Sequence, residues 1–382
     1  MREFKLRFDK ETLGILSSIF LLTLLIAYSY VTSNTRAFLA VMSIIMIVIA
    51  NIWKRKTNEK NIPKLFITIN LICILFFSIR NMDFDNEMYG RFLYTLVGFI
   101  FVLGSVRTVK WINVSIKILF ISGLIALMAA FAGGSSSLTN LIILILLQAL
   151  TAIVLTNIYF KNHIIINTLL LCLIYIEFIL IGKLAYTLFT GVTMLVMYYI
   201  KKAETNKNRT TLLFLFLITV IVIFLYFSFI GFGRITEWMF SDDVANGRTL
   251  LFTKAIEYFK EEPVFGLGWG GFRNTFNIQR GGVYYEVHNV YLQLLCEVGV
   301  VGTIFYVLYF VFNMRQGIRT LNAARAENNV RCMKQIYFSI YLQVFFLFYG
   351  LSGNFLYDLA FLLYSLAAAI PWAVSRRFYN ER

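Results

Sequence analysis

The chain has 382 residues, of which 59% are hydrophobic and only 14% are charged, and its formal net charge is +15. A soluble domain cannot bury so large a share of apolar side chains, so the composition excludes a soluble protein and predicts one that lipid surrounds. The four cysteines are far apart and include no CxxC pair, which excludes a zinc or disulfide framework.

Apolar runs long enough to cross a bilayer recur along the whole sequence. We predict that they are helices, because backbone amides in lipid must be hydrogen-bonded within their own segment. No small-residue cleavage site follows the first run, so we interpret it as a retained span. The sequence therefore predicts an all-α integral membrane protein, a single polytopic membrane domain over residues 1–382. Its transmembrane helices, about 12 in number, are predicted at 12–30, 37–53, 65–80, 91–106, 113–132, 141–160, 164–181, 184–200, 210–232, 289–313, 335–351 and 355–374.

The basic residues predict the orientation of these helices. With the N-terminus in the cytoplasm, cytoplasmic segments contain 25 of the 35 Lys and Arg residues, and outer segments contain ten. This distribution follows the positive-inside rule and predicts that both termini are cytoplasmic. Topology then explains the net charge, which gives no evidence for nucleic-acid binding. The basic inner loop 313–334 is suited to contact with anionic membrane lipids.

The one long outer loop is predicted at residues 233–287. Asp242 and Asp243 are suited to cap a helix, and Pro263 ends it. Arg248 lies in the first turn, where a cation opposes the helix dipole and therefore needs another explanation. Apolar residues recur at roughly helical spacing and predict an amphipathic helix on the outer mouth of the bundle: Leu250, Leu251, Ala255, Ile256 and Phe259.

Short motifs follow this helix in a specific order. The glycines alone are a weak signal, because a loop glycine usually marks only a turn. No strand precedes them and no Lys-Ser/Thr follows, so neither a dinucleotide site nor a P-loop is predicted. In combination, over about residues 234–305, the motifs resemble the O-antigen ligase and polymerase superfamily of bacterial envelope glycan assembly. The matching residues are Arg248, Pro263, Gly266, Gly268, Gly270, His288, Asn289, Tyr291, Leu292, Glu297, Gly299 and Gly302.

The resemblance implies a GT-C-like membrane glycosyltransferase. Such enzymes act at the outer face of the bacterial plasma membrane on glycans carried by a polyprenyl pyrophosphate. They transfer the glycan to an acceptor hydroxyl, with inversion of the anomeric centre and without a metal or other cofactor. The implied partners are a polyprenyl-pyrophosphate-linked oligosaccharide donor and acceptor together with membrane lipids, and the resemblance leaves open whether a chain-length regulator binds.

This chemistry suits the residue types in the loop. A pyrophosphate leaving group needs fixed cations, and Arg248 offers a planar donor fork that stays charged. The acceptor hydroxyl needs a base with a pKa near working pH, so His288 is the predicted catalytic residue. The other predicted substrate-binding residues are Arg234, Lys183, Glu286, Asn289, Gly268 and Gly270.

Each predicted cation has a structural alternative. Arg248 is alternatively a solvated loop charge or a headgroup contact, and Arg234 is alternatively a snorkelling membrane anchor. Lys183 stands where relatives carry an arginine, and it lacks the bidentate fork of arginine. Glu177, about two turns earlier, is an alternative partner for Lys183.

Two acidic residues also have open roles. Glu286 either orients His288, two residues away in an extended segment, or faces water. Glu297 lies within the tenth predicted span, where a carboxylate is costly without a partner. It therefore either makes a structural hydrogen bond or binds the acceptor.

Three functions remain open from the sequence. We favour a polymerase that joins lipid-linked repeat units into O-antigen or capsular polysaccharide. Such an enzyme holds two pyrophosphate-linked glycans, and further predicted outer cations are available for the second: Arg80, Arg91, Arg273 and Arg280. The alternatives are ligase-type transfer to another acceptor and, in a different class, a flippase for lipid-linked oligosaccharides. A flippase predicts charged residues in mid-bundle, whereas the intramembrane charges here are few and lie near the span ends.

Overall fold

The structure is a computed structural model, and it describes residue 19 and residues 62–79, 86–105, 110–132, 137–181, 184–202, 248–279 and 286–379. The predicted spans 37–53 and 210–232 lie outside these residues, as does 12–30 apart from Ile19. The described part contains eleven α-helices: α1 (Ile62–Ile79), α2 (Asn86–Ser105), α3 (Lys110–Phe131), α4 (Ser137–Tyr159), α5 (Ile164–Leu180), α6 (Leu184–Lys202), α7 (Arg248–Glu261), α8 (Gly271–Gln279), α9 (Val290–Ala326), α10 (Val330–Tyr349) and α11 (Ala360–Tyr379).

Nine of these helices coincide with predicted spans, although several predicted boundaries are wrong, and two of these differences have a clear physical reason. The predicted inner loop 313–334 is mostly helical, because α9 continues for 37 residues to Ala326 and only a short turn separates it from α10. Hydropathy does not mark that boundary, since a helix that leaves the apolar region continues with polar side chains. The last span was predicted to begin at residue 355. Instead a 3₁₀ turn occupies Phe355–Tyr357, and the Asp358 carboxylate accepts from the Ala360 amide at 2.6 Å, so that α11 begins after it.

The pattern of burial is that of a helical membrane protein. Three helices within the described residues are long and apolar enough to cross a membrane: Trp111–Phe131, Leu141–Tyr159 and Val290–Ala326; shorter apolar helices accompany them. Helix α4 lies in the core, because every side chain from Ile142 to Thr156 is buried. Helix α9 instead presents a stripe of apolar side chains outside the bundle, at Val300, Ile304, Val307 and Val311. An exposed apolar stripe on a helix of this length is suited to contact with lipid.

The loops collect at two ends of the bundle. At one end, the Phe265 ring stacks on Phe77 at the end of α1, with ring centroids 5.8 Å apart, and Trp269 meets Phe92 near the start of α2. We call this the site end. At the other end, the guanidinium of Arg325 donates to the carbonyl of Ile200 at 2.9 Å, which joins the ends of α9 and α6. We call this the basic end.

Candidate functional site

The site end is built around a break in α9. Gly299 has φ 66° and ψ −174°, a non-helical conformation in the middle of the helix. The loop between α7 and α8 fills the break with backbone hydrogen bonds. On one side of the break, Leu267 N donates to Cys296 O at 3.0 Å and Gly268 N donates to Glu297 O at 2.7 Å; on the other, Val300 N donates to Pro263 O at 2.9 Å. The loop therefore provides partners for backbone groups that the broken helix leaves without helical partners.

This backbone contact explains why two of the motif positions must be glycine. A Cβ on Gly266 would lie 2.4 Å from the carbonyl carbon of Glu297, and one on Gly299 would lie 2.3 Å from the carbonyl oxygen of Val264. Both residues also have a positive φ, which L side chains rarely adopt. The glycine-rich loop and the Glu-x-Gly segment are thus two halves of one backbone contact.

Glu297 lies at the centre of this contact. Its carboxylate is fully buried, and it accepts hydrogen bonds from the Gly270 amide at 3.0 Å and from Gln293 Nε2 at 3.1 Å. A buried carboxylate is tolerated only when it has such partners. Of the two roles left open for Glu297, the structural hydrogen bond is observed. The amides of Gly268 and Gly270, predicted as substrate contacts, both donate to Glu297 in the structure.

Trp269, between those two glycines, holds the loop against the bundle. Its buried ring stacks on Tyr357 at a centroid distance of 4.1 Å and on Tyr306 at 6.2 Å. The ring of Phe92 meets it edge to face at 5.8 Å. One side chain thus connects the loop to α2, α9 and the turn before α11. Trp269 is not among the predicted site residues, although a tryptophan between two motif glycines is a usable signal.

His288 lies exposed at the start of α9. It has φ 56°, a left-handed conformation, and it lies between the buried Val287 and the helix cap Asn289. The Asn289 side chain accepts from the amides of Tyr291 and Leu292 at 3.1 and 3.0 Å, and it donates to Leu351 O at 3.2 Å. Asn289, predicted as a substrate contact, is therefore used to cap α9 and to join it to the turn after α10.

The start of α9 offers few backbone groups to an anion. Besides the two amides that Asn289 caps, Val290 N donates to Gly350 O at 2.8 Å and Gln293 N donates to Asn289 O at 2.9 Å. The first four amides of the helix therefore all have partners within the protein. A pyrophosphate beside His288 would depend on cationic side chains rather than on the backbone of α9.

Glu286 contacts a residue that the sequence analysis did not identify. The buried Asn354 donates from Nδ2 to Glu286 Oε2 at 2.5 Å. Asn354 belongs to the turn that also accepts from Val290 and Asn289, so three contacts hold the His288 segment on residues 350–354. From the sequence this turn is predicted only as a connection between two spans, and the polar residues in "LSGN" are the available signal.

Helix α7 begins at Arg248 and packs against the segment that contains His288. Its side chains Leu251, Ala255 and Tyr258 are buried together with residues from α8, α9 and the segment between them: Phe272, Phe276, Val287 and Cys296. The predicted apolar side chains of α7 are buried or half-buried except Ile256, which lies outside this cluster and is exposed. Burial raises the pKa of Tyr258, with Lys254 acting in the opposite direction, so Tyr258 is a neutral phenol and no candidate for the base.

The predicted cations are described only in part. Arg234 and Lys183 lie outside the described residues, as does the side chain of Arg248. The chain just after Lys183 nevertheless lies near the site, because the ring of Tyr186 packs against Tyr349 with centroids 4.6 Å apart. Tyr349 ends α10, immediately before the turn that holds His288.

The further outer cations differ in what the structure describes. Arg273 lies on α8, a helix that the sequence analysis did not predict, and it is buried with 5% of its surface exposed. Arg80 and Arg280 lie outside the described residues, and so does the side chain of Arg91.

The long helices and the folded loop assembly on one end define a multi-pass helical membrane protein with a candidate site at that end. A profile of the O-antigen ligase family matches residues 165–307, from α5 to the middle of α9. This segment belongs to that family, so the chain is a glycosyltransferase-type enzyme of envelope polysaccharide synthesis, and the resemblance stated from the motifs is confirmed. The comparison with curated proteins finds no match.

Proposed function

We propose that the protein polymerises polyprenyl-pyrophosphate-linked oligosaccharide repeat units into O-antigen or capsular polysaccharide. The observation that carries the proposal is His288, exposed in a left-handed conformation on a segment that several hydrogen bonds hold at the site end. The family that matches residues 165–307 implies lipid-linked glycans as substrates. An exposed imidazole on a hydrogen-bonded segment, at the start of a helix whose later turns carry an exposed apolar stripe, is suited to a reaction between substrates that remain anchored in lipid.

In the proposed reaction, His288 accepts the proton of an acceptor hydroxyl. The oxygen attacks the anomeric carbon of the donor, and the bond from that carbon to the pyrophosphate oxygen breaks. The lipid pyrophosphate leaves as an anion, and the imidazole passes its proton to solvent. Because the attack occurs opposite the leaving group, the anomeric centre is inverted. No step uses a metal or another cofactor.

We assign the cations and the polar residues to different tasks. Arg248, with Arg234 and Lys183, is proposed to bind the pyrophosphate, because the backbone amides at the start of α9 already have partners. The remaining predicted site residues are proposed to hold the site in shape, since each has a hydrogen bond within the protein: Glu286, Asn289, Gly268 and Gly270.

A reconstituted reaction tests this function. Purified protein in liposomes with a lipid-linked repeat unit is expected to form products of several repeat units on one lipid. Each new linkage should release one polyprenyl pyrophosphate, which mass spectrometry can count. Arg248→Lys keeps the charge but loses the fork and should lose most of this activity.

The same reaction distinguishes the alternatives. A ligase would form no multiples until a different acceptor is added, and a flippase would move the lipid-linked unit across the bilayer without forming a product. Either outcome would contradict polymerisation. Near-normal elongation by the Arg248→Lys protein would contradict the pyrophosphate clamp.

We further propose that the site end faces outward from the plasma membrane and that both termini are cytoplasmic. The basis is the 25-to-10 distribution of basic residues between the two sides. A cysteine at the exposed Glu262 should react with a membrane-impermeant thiol reagent added to intact cells, and one at the exposed Asn322 should not. The unmodified chain, whose Cys172 is exposed on α5, gives the background labelling. The reverse labelling would contradict this orientation.

A further inference from the structure

Cationic side chains from three helices gather around two aromatic rings at the basic end. Lys201 Nζ, at the end of α6, lies 4.7 Å from the centroid of the Phe160 ring. Lys334 Nζ, on α10, lies 5.7 Å from the same centroid. The guanidinium carbon of Arg325, on α9, lies 6.0 Å from the centroid of Tyr337, whose ring meets Phe160 edge to face at 5.5 Å. We call these five residues the cation–aromatic cluster.

Packing holds this cluster in place. Arg325 donates from Nη2 to Ile200 O at 2.9 Å and to the Tyr337 hydroxyl at 2.8 Å, which joins the ends of α6, α9 and α10. Tyr337 is fully buried, whereas Phe160, Lys201 and Lys334 are partly exposed. The two ammonium groups share one ring, so they lie within about 10 Å of each other, which is comparable to the Debye length at physiological salt.

The surroundings of the cluster are strongly basic. Among the residues that the structure describes, Glu327 is the one acidic residue at this end of the bundle. Basic residues, in contrast, lie at this end on α1, α3, α6, α10 and α11 and in the turn after α4: Lys64, Lys110, Lys161, Lys202, Arg331, Arg376 and Arg377. Like charges held this close repel one another, so an anion between them is attracted to several cations at once.

We propose that the cation–aromatic cluster binds a phosphate group, carried either by an anionic lipid headgroup or by a soluble phosphate compound. Both ammonium groups lie over the Phe160 ring on partly exposed side chains, at an end of the bundle where lipid headgroups are expected. This site is at the end opposite His288, and its argument does not rest on the proposed glycosyl transfer.

Lipid titration of the full-length protein in neutral detergent tests the site, with native mass spectrometry as the readout. The wild type is expected to bind phosphatidylglycerol more tightly than phosphatidylcholine. Lys201→Gln/Lys334→Gln should weaken phosphatidylglycerol binding by about five-fold for each charge removed. Lys201→Arg/Lys334→Arg keeps both charges and should retain most of the affinity, which attributes the loss in the Gln variant to the missing charges.

The matched control is Arg315→Gln/Arg319→Gln. It removes two exposed cations from the turns of α9 that precede Arg325, at the same end of the bundle, and it should change the affinity much less. Equal losses in the two Gln variants, or unchanged binding in Lys201→Gln/Lys334→Gln, would overturn the proposal.

Competition with inorganic phosphate distinguishes the source of the ligand. Displacement of the lipid indicates a soluble phosphate compound, and continued lipid binding indicates a headgroup.

Discussion

His288→Ala is expected to lower the rate of glycan transfer by about 10²–10⁴-fold, the usual contribution of a general base. Protein abundance and donor binding should remain nearly unchanged, because His288 is exposed and because Asn289, Val290 and Glu286 keep the hydrogen bonds that join this segment to residues 350–354. Elongation of a lipid-linked repeat unit by purified protein measures the rate.

Two further substitutions distinguish the role of the imidazole from that of the backbone conformation at residue 288. His288→Gln keeps a hydrogen-bonding side chain that cannot accept a proton at neutral pH, and we expect it to be nearly as inactive as His288→Ala. His288→Gly accommodates the positive φ without strain and should be equally inactive. Wild-type rates in His288→Gln would rule out the base, and restored rates in His288→Gly would indicate that only the backbone conformation matters.

The chain provides a matched control for these variants. His163, its other histidine, is also exposed and also has a positive φ, 42°, but it lies at the basic end in the turn between α4 and α5. His163→Gln and His163→Ala should leave the rate of glycan transfer unchanged. A comparable loss at His163 would attribute the effect to disturbance of left-handed backbone rather than to loss of a base.

Gly299→Ala is expected to disrupt the contact between the glycine-rich loop and α9. The added methyl group would lie 2.3 Å from Val264 O, and the conformation at φ 66° and ψ −174° is essentially restricted to glycine. Strain of this kind costs about 1–3 kcal/mol before the steric overlap is added. We expect a clear fall in thermal stability in detergent, together with loss of activity, because Trp269 and Glu297 would both be displaced.

Gly191→Ala on α6 is the matched control for this substitution. Its Cβ would meet only the hydroxyl tip of Tyr175, at 3.2 Å, and alanine is favourable in a helix. Its stability should therefore be near that of the wild type. If Gly299→Ala were equally stable, the break in α9 would tolerate a side chain, and the described contact would not hold the loop.

The sequence by itself determined the helical membrane class and the order of the site motifs. Apolar runs and basic residues are local signals, and lipid imposes the helix on any run of sufficient length. The predicted starts of α5 and α6 agree with the structure, and the start of α5 is marked by the short polar turn that bounds its apolar run. The order of motifs from Arg248 to Gly302 likewise indicated the family that the comparison confirmed over residues 165–307.

Only the tertiary structure decided what most motif residues do. Sequence spacing does not show that Gly266 approaches Glu297, or that Asn354 donates to Glu286, because these partners are distant along the chain and meet only when α9 packs beside the loop. Nor did hydropathy locate the end of α9 at Ala326, since a helix continues past the apolar region as long as its polar side chains can face water. The glycines, Asn289 and Glu297 were conspicuous in the sequence for their chemistry. Their backbone and capping contacts follow from the requirement that every polar group near a broken helix find a partner.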